Sequence, residues 1–146
     1  MIYLLDTNVV SELRKAGDGK ADANVAEWAS LRDPEELYIS VITLLELEVG
    51  VLRIERRDDK QGQMLRIWLE HHVIPFFQDR ILPVDEHVAI GCARLHVPNK
   101  SPERDALIAA TANELNMTIA TRDEKDFRDL ARKTFNPWSS MKGTRG

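Results

Sequence analysis

Cysteine, excess positive charge and long apolar runs are all scarce in this 146-residue chain. The single cysteine, Cys92, excludes an internal disulfide and a cysteine-based metal site. Its small neighbours predict that it lies on a helix face and fills space in the protein core. Asp6 interrupts the apolar start, which argues against a signal peptide, and no apolar run approaches the roughly 18 residues that a membrane span requires. We therefore expect a soluble, cytoplasmic protein without membrane contact.

The charge balance limits how the protein can bind nucleic acid. The chain has 20 lysine and arginine residues against 24 aspartate and glutamate residues, a net charge of -4. A protein that coats nucleic acid by neutralising phosphates is usually basic, which excludes that class but allows an enzyme that binds nucleic acid briefly. The length and the 43% hydrophobic content predict one compact domain over residues 1–146.

Four short apolar segments alternate with helical patterns along the chain. The segments are 2–5, 37–42, 81–84 and 118–121, and the first is an unbroken run typical of a strand buried on both faces. Strands separated by helices predict right-handed crossovers. The expected fold class is α/β, a three-layer domain with a central, mainly parallel sheet of four to five strands flanked by helices.

Local signals predict several boundaries within this pattern. Asp85 and the pair Ser101–Pro102 are expected to start two of the helices. A short last helix is predicted over residues 127–131, and an irregular tail follows in which Trp138 packs back on the body.

Carboxylates follow three of the predicted strands. Asp6 comes directly after the first strand, Glu46 lies in the first turn of the helix after the second, and Asp123 follows the fourth. Ligand sites of parallel sheets lie at this edge. Each acid also has a structural interpretation, because Asp6 and Asp123 could cap helices and Glu46 could close a capping box with Thr43.

Asp105 is harder to explain as a structural residue. It stands at helical spacing with Ile108, Ala109 and Ala112, so it begins the buried face of its helix. Burying even a neutral polar group without a partner costs roughly 2 to 7 kcal/mol, and Arg104 projects from a different side of the same turn. A counter-cation is therefore expected, and a multivalent one would also relieve repulsion among neighbouring acids.

The acids together predict a metal site at one edge of the sheet, formed by Asp6, Glu46, Asp105 and Asp123. Ligation by oxygen atoms alone is the preference of Mg²⁺ or Mn²⁺. The four histidines of the chain do not form a zinc pattern. Phosphodiester hydrolysis is a reaction that such a site could support, because acid-held metal ions activate water and stabilise the leaving oxygen.

Four segments of the chain share the pattern of a known family. They are Leu5-Asp-Thr-Asn-Val-Val-Ser-Glu12, Ile42-Thr-Leu-Leu-Glu-Leu-Glu-Val-Gly-Val51, Arg104-Asp-Ala-Leu-Ile-Ala-Ala-Thr-Ala112 and Ala120-Thr-Arg-Asp123. In order and spacing they resemble the motifs of PIN-domain ribonucleases, and the nearest branch is the VapC and FitB toxins of bacterial toxin–antitoxin pairs. The resemblance covers nearly the whole chain and implies a PIN-like fold.

The resemblance implies a metal-dependent endoribonuclease with Mg²⁺ or Mn²⁺ at its active site. The ligands it implies are Asp6, Glu46, Asp105 and Asp123, with Thr7, Asn8 and Thr121 lining the site. Some family members place the fourth acid in a later Asp-Phe pair, which makes Asp126 the reserve candidate. Glu48 is a weaker rival to Glu46, because it lies on another side of the helix.

The resemblance also implies partners. These are an RNA substrate, a cognate antitoxin protein that would mediate any contact with DNA, and a second copy of the chain in a homodimer. The aromatic residues Trp28, Trp68, Phe76 and Phe77 favour the homodimer, although each could equally lie in the interior. We expect no self-inhibition, because the polar tail after Trp138 is too short to cover a cleft.

Two other classes remain open from the residues alone. The second class is a phosphoacceptor or haloacid-type phosphatase domain, in which an acidic residue that follows a strand also binds Mg²⁺. The chain lacks the pair of acids that a phosphoacceptor has at its first strand, and it has no Asp-x-Asp-x-Thr run. The third class is a non-catalytic binding module in which the acids are helix caps and solvated charges.

Overall fold

The computed structural model describes residues 1–139 and contains a five-stranded parallel sheet. The strands are β1 (Tyr3–Leu5), β2 (Leu37–Ser40), β3 (Ile81–Leu82), β4 (Thr118–Ala120) and β5 (Thr134–Phe135). Their spatial order is β3-β2-β1-β4-β5, which confirms the predicted α/β class and makes β1 the central strand. Tyr3 is in register with Leu37 on one side and with Thr118 on the other.

Seven α-helices are present in the described part of the chain. They are α1 (Thr7–Arg14), α2 (Ala23–Ser30), α3 (Val41–Arg57), α4 (Asp59–Trp68), α5 (Ile74–Phe76), α6 (Glu86–Leu95) and α7 (Glu103–Glu114). A π-helical segment (Leu69–Val73) joins α4 to α5, and 3-10 turns cover Lys15–Asp18, Pro34–Glu36 and Glu124–Phe127. Within residues 1–139, no helix is long and apolar enough to cross a membrane.

The side chains of β1 alternate between two apolar layers. Tyr3 and Leu5 pack into one core together with Trp28, whereas Leu4 packs into the other core with Ile108. This period of two is that of a strand covered by helices on both faces, as the sequence predicted. Trp138 packs at the edge of the first core, which also agrees with the prediction.

The predicted start of α3 is wrong. The helix begins at Val41 because the side chain of Ser40 accepts a hydrogen bond from the backbone N–H of Ile42 at 2.9 Å. Thr43 is thus already inside the first turn and fully buried, so the capping box that it could have formed with Glu46 does not arise. The charged residues 55–60 predict the end of the apolar helical pattern, but the helix continues into them and ends at Arg57.

Three predictions for the last third of the chain are also wrong. Ser101 does not cap α7, because its N–H donates to Nδ1 of His96 at 3.0 Å and its hydroxyl donates to the carbonyl of Leu95 at 3.2 Å. The short last helix is replaced by the 3-10 turn further upstream, and the tail expected to be irregular contributes β5. Residues 140–146 of the polar tail lie outside the described residues.

The aromatic residues proposed for a dimer surface are divided between interior and surface. Trp28 and Phe77 are buried in the core, Trp68 is half-buried, and Phe76 is 44% exposed. The aromatic argument for a homodimer is therefore reduced to Phe76 and part of Trp68, and the homodimer stays a prediction.

Candidate active site

The carboxyl ends of β1, β2 and β4 face one open cleft of about 510 Å³. All four acids that the sequence singled out line it: Asp6, Glu46, Asp105 and Asp123. Thr7 and Asn8 line it as well, at the start of α1. The parallel strand order explains this convergence, because neighbouring parallel strands deliver the residues that follow them to the same edge.

Asp6 is the buried acid of the cleft and makes three hydrogen bonds. Oδ1 accepts from the backbone N–H of Thr7 at 2.9 Å, and Oδ2 accepts from the hydroxyl of Thr121 at 2.8 Å and from the Asn8 amide at 3.4 Å. Burial raises the pKa of Asp6 to about 6, and the charges of Glu46 and Asp105 contribute to this rise. The hydrogen bonds from Thr121 and Thr7 act in the opposite direction but do not cancel it. Asp6 thus caps α1 and also presents a carboxylate that resists ionisation.

Glu46 is held by a residue from another helix. The Thr7 hydroxyl donates to Oε1 of Glu46 at 2.6 Å, which ties the second turn of α3 to the start of α1. On its other oxygen, Glu46 lies 3.7 Å from Nη1 of Arg104, which is 52% exposed on α7. Arg104 projects away from Asp105, as helical spacing predicts, and its long side chain reaches Glu46 instead, a contact that the spacing does not predict.

Asn8 connects the first and last motifs of the chain. Its amide N–H group donates to Oδ2 of Asp123 at 3.1 Å, and its carbonyl oxygen accepts from the backbone N–H of Arg122 at 3.3 Å. The Thr121 hydroxyl donates to Asp6 and accepts from the backbone N–H of Asp123 at 3.0 Å. These bonds fix the loop after β4 against the start of α1.

Asp105 lies in the first turn of α7 and is half-buried. Burial raises its pKa, and the charges of Asp126, Glu46 and Asp123 raise it further. Asp126, the reserve candidate, does not line the cleft, although its charge raises the pKa of Asp105 more than the charge of Asp123 does. Unlike Asp126, Asp123 lines the cleft and accepts a hydrogen bond from the Asn8 amide.

Glu48, the rival of Glu46, is engaged elsewhere. Its two carboxylate oxygens accept from both terminal nitrogens of Arg66 at 2.7 and 2.6 Å, which joins α3 to α4. This ion pair lowers the pKa of Glu48. Glu48 therefore supports the packing of two helices outside the cleft.

The spacing of the acids is wide. Within residues 1–139, no three carboxylates of the cleft bring oxygen atoms within 4.8 Å of one another. Unneutralised acids repel, and an ion such as Mg²⁺ usually keeps several of its waters and is bound by one or two carboxylates. A hydrated ion is consistent with such spacing.

A second group of possible ligands lies away from the cleft, although the sequence predicted no site with cysteine or histidine. Cys92, His96 and Glu103 bring ligand atoms within 4.8 Å of one another. The Ser101 N–H donates to Nδ1 of His96, so the proton of a neutral ring resides on Nε2, the nitrogen that faces the other two residues. Burial also raises the pKa of the Cys92 thiol. These features favour a hydrogen-bonded group at the edge of the core over a metal site.

Comparison with known proteins identifies the fold family. The PIN domain family matches residues 3–133. The chain belongs to the PIN-domain family. PIN-domain nucleases generally use a divalent metal ion, and this membership decides against the phosphoacceptor and phosphatase alternatives.

The PIN domain is similar to named toxins and ribonucleases along most of its length. It is 36% identical to Toxin FitB of Neisseria gonorrhoeae in an alignment of 142 residues, with coverage of 94% of this chain and 99% of that protein. It is 34% identical to the VapC ribonuclease Y4jK of Sinorhizobium fredii, over 94% of this chain and 98% of that protein.

Solved structures agree with this similarity. The crystal structure of FitAcB from Neisseria gonorrhoeae has a TM-score of 0.84 and 35% identity, and the alignment covers 94% of this chain and 99% of that chain. A structure of FitAB bound to a DNA fragment has the same TM-score, with 34% identity and coverage of 94% and 96%.

Proposed function

We propose that this PIN domain is a metal-dependent endoribonuclease that hydrolyses RNA phosphodiester bonds and acts as the toxin of a toxin–antitoxin pair. The observation that carries the proposal is the convergence of Asp6, Glu46, Asp105 and Asp123 on one cleft. The names of the relatives, a VapC ribonuclease and a toxin, support the choice of substrate and role.

The residues of the cleft fit a divalent cation. Its acids offer oxygen atoms alone, the donor set that suits Mg²⁺ or Mn²⁺. The pKa values of Asp6 and Asp105 are raised because both carboxylates are partly withdrawn from water among other acids. Carboxylates in such a setting gain from a cation that neutralises several of them together.

In the proposed mechanism, one or two bound ions would activate water and stabilise charge on the phosphoryl group and the leaving oxygen. The chain's own contribution is positioning. Asp6, Glu46 and Asp105 would bind the metal directly, and Asp123 would serve a second ion or hold the attacking water. Thr7 fixes Glu46, whereas Thr121 and Asn8 fix Asp6 and Asp123 through the bonds described above.

The catalytic proposal is tested with purified protein and single-stranded RNA. We expect cleavage with Mg²⁺ or Mn²⁺ and none with EDTA. Asp105→Asn should lose most of the activity, because a neutral amide replaces a negative ligand of nearly the same shape. Asp129→Asn is the matched control, since it removes an exposed acid outside the cleft. Activity that survives EDTA, or that persists in Asp105→Asn, contradicts the proposal.

Restraint by an antitoxin is the second part of the proposal. A ribonuclease working in the cell that makes it endangers that cell's own RNA. The acidic cleft is naturally blocked by a cation, and an arginine from another chain could pair bidentately with its carboxylates. DNA would then be contacted through the antitoxin, because this chain has a net charge of -4.

A groove next to the cleft offers a surface for the antitoxin. It has a volume of about 580 Å³, it shares Arg14 with the cleft, and its apolar wall includes Met64, Ile67 and Trp68 of α4. Met64 is 69% exposed and Ile67 is 54% exposed. Apolar side chains exposed side by side in a groove are typical of protein-binding sites.

Coexpression tests this part separately from the catalytic one. The chain expressed alone should arrest growth, and coexpression with the antitoxin encoded beside it should restore growth. Ile67→Glu should keep the ribonuclease active and abolish the rescue. Ile90→Glu is the control, because Ile90 is 53% exposed on α6 and does not line the groove. Normal growth with the chain alone, while its ribonuclease activity is intact, contradicts the toxin role.

A further inference from the structure

Arg122 is a cationic side chain of the cleft that stands next to one of its acids, and no carboxylate of the described residues neutralises it at close range. Arg122 lines the cleft and directly precedes Asp123. Within the described residues, no carboxylate oxygen lies within 4 Å of its guanidinium. The other two cations of the cleft differ, because Lys15 lies 3.3 Å from Glu12 and Arg14 lies over the ring of Trp68 at the neighbouring groove.

The Arg122 side chain is held in place by an aromatic ring. Its guanidinium carbon lies 4.4 Å from the ring centroid of Trp138, which also lines the cleft. The backbone of Trp138 is itself fixed, because its carbonyl accepts from the Asn24 side chain at 2.8 Å and its backbone N–H donates to the Asn136 side chain at 2.9 Å. A guanidinium stacked on a fixed ring keeps its edge N–H groups available in one orientation.

The backbone of Arg122 is tied to the proposed catalytic residues. Its N–H donates to Asn8, whose amide contacts both Asp6 and Asp123. The stacked guanidinium is therefore presented at a defined place relative to the acids. RNA approaching these acids brings several phosphates, and only the one at the reacting position would be neutralised by metal.

We propose that Arg122, stacked on Trp138, binds a phosphate of the RNA next to the scissile bond and so aligns the strand in the cleft. This inference rests on the proposed ribonuclease function. A planar guanidinium binds phosphate through two parallel hydrogen bonds, which lysine cannot reproduce. Trp138 acts through Arg122 and is a positioning residue.

The first test measures RNA binding in EDTA, where no cleavage is expected, by fluorescence anisotropy of a labelled single-stranded RNA. Arg122→Ala should weaken binding by about tenfold and reduce the slope of log affinity against log salt by about 1. Arg122→Lys should keep the salt slope and recover only part of the affinity. Arg128→Ala removes an exposed cation outside the cleft and is the control. Equal RNA binding by Arg122→Ala and Arg128→Ala overturns the inference.

The second test separates positioning from folding. Trp138→Phe keeps an aromatic face and should retain most of the RNA affinity, whereas Trp138→Ala should approach Arg122→Ala. The double variant Arg122→Ala/Trp138→Ala should bind no more weakly than the weaker single variant, because one residue acts through the other. Additive losses overturn the positioning role.

With Mn²⁺, the loss in Arg122→Ala should appear as a higher KM more than as a lower kcat. If the wild type binds RNA through Arg122 but never cleaves it, the proposed ribonuclease function fails and the phosphate site stands.

Discussion

Replacing Asp6 with asparagine should stabilise the metal-free protein at neutral pH while it destroys activity. The pKa of Asp6 is raised from 3.8 to about 6, and the side chain is only 8% exposed. Each unit of pKa is worth about 1.4 kcal/mol, so the ionised carboxylate costs the native state about 3 kcal/mol. The substitution Asp6→Asn removes that whole cost, because the amide carries no charge at any pH.

Part of this gain is lost again through hydrogen bonds. The Asn side chain can still accept from Thr7, but its NH₂ group faces the Thr121 hydroxyl and the Asn8 amide, which both donate to the carboxylate in the wild type. Losing these contacts costs about 1 to 2 kcal/mol. The net gain should be about 1 to 2 kcal/mol at pH 7.5, a rise in Tm of roughly 3 to 6 °C.

The pH dependence tests the cause. In the native state Asp6 stays protonated up to a pH of about 6, whereas in the unfolded state it ionises near 3.8. Between these values the native state binds more protons, so this group's contribution to stability falls as the pH rises through the window and is constant above it. The advantage of Asp6→Asn should therefore be small or reversed near pH 4 and complete above pH 7.

The assay is urea unfolding in EDTA at pH 4, 6 and 7.5, with the variant compared with the wild type at each pH. The comparison is needed because ion-paired acids such as Glu48, whose pKa is lowered, change stability in the opposite direction in both proteins. Asp129→Asn should give no such trend. A difference between Asp6→Asn and the wild type that is the same at pH 4 and pH 7.5, or a less stable variant at pH 7.5, would refute the reasoning. Added Mn²⁺ should narrow the advantage by stabilising the wild type.

Three further predictions concern packing, the fourth acid and assembly. Gly62→Ala should lower the Tm, because the new Cβ would lie 2.6 Å from Cα of Glu55 where α4 crosses α3, at a cost of about 1 to 3 kcal/mol. The control Gly50→Ala should raise the Tm slightly, because nothing lies within 4 Å of the new Cβ. Asp123→Asn should reduce ribonuclease activity much more than Asp126→Asn, and the reverse order would move the fourth acid to Asp126. Light scattering at micromolar concentration should give twice the chain mass of 16.7 kDa, and the mass of a single chain would contradict the homodimer.

The strands and the edge at which the acids meet could be predicted from sequence because strong local signals agree with the topology. Leu4 and Leu5 belong to an apolar run that is buried whichever helices cover it. Once the strands are parallel, the residues after them share one edge by geometry alone. The two-residue strand β5 carries no such signal, because its pairing exists only where β4 offers an edge.

Capping signals were less reliable because several candidates compete. Ser40 and Thr43 both precede helical residues, and the choice depends on where β2 ends. Ser101 has the side chain of a cap, but its hydroxyl donates to the carbonyl of Leu95 at the end of α6 instead. Such competition is decided by tertiary contacts, which periodicity does not report.

Contacts that long side chains make with other helices or strands are the hardest to predict from a sequence. Helical spacing correctly predicts that Arg104 and Asp105 point to different sides of α7. It does not predict contacts with another helix, and the Arg104 guanidinium reaches Glu46 on α3. Arg122 shows the same limit, since its ring partner, Trp138, comes from the tail. The acids come from strand ends and helix starts and were found, whereas these cations act through long side chains and were missed. The convergence of the acids is thus the predictable part of this cleft, and the cations around them, which we propose to contact RNA, are the part that required the structure.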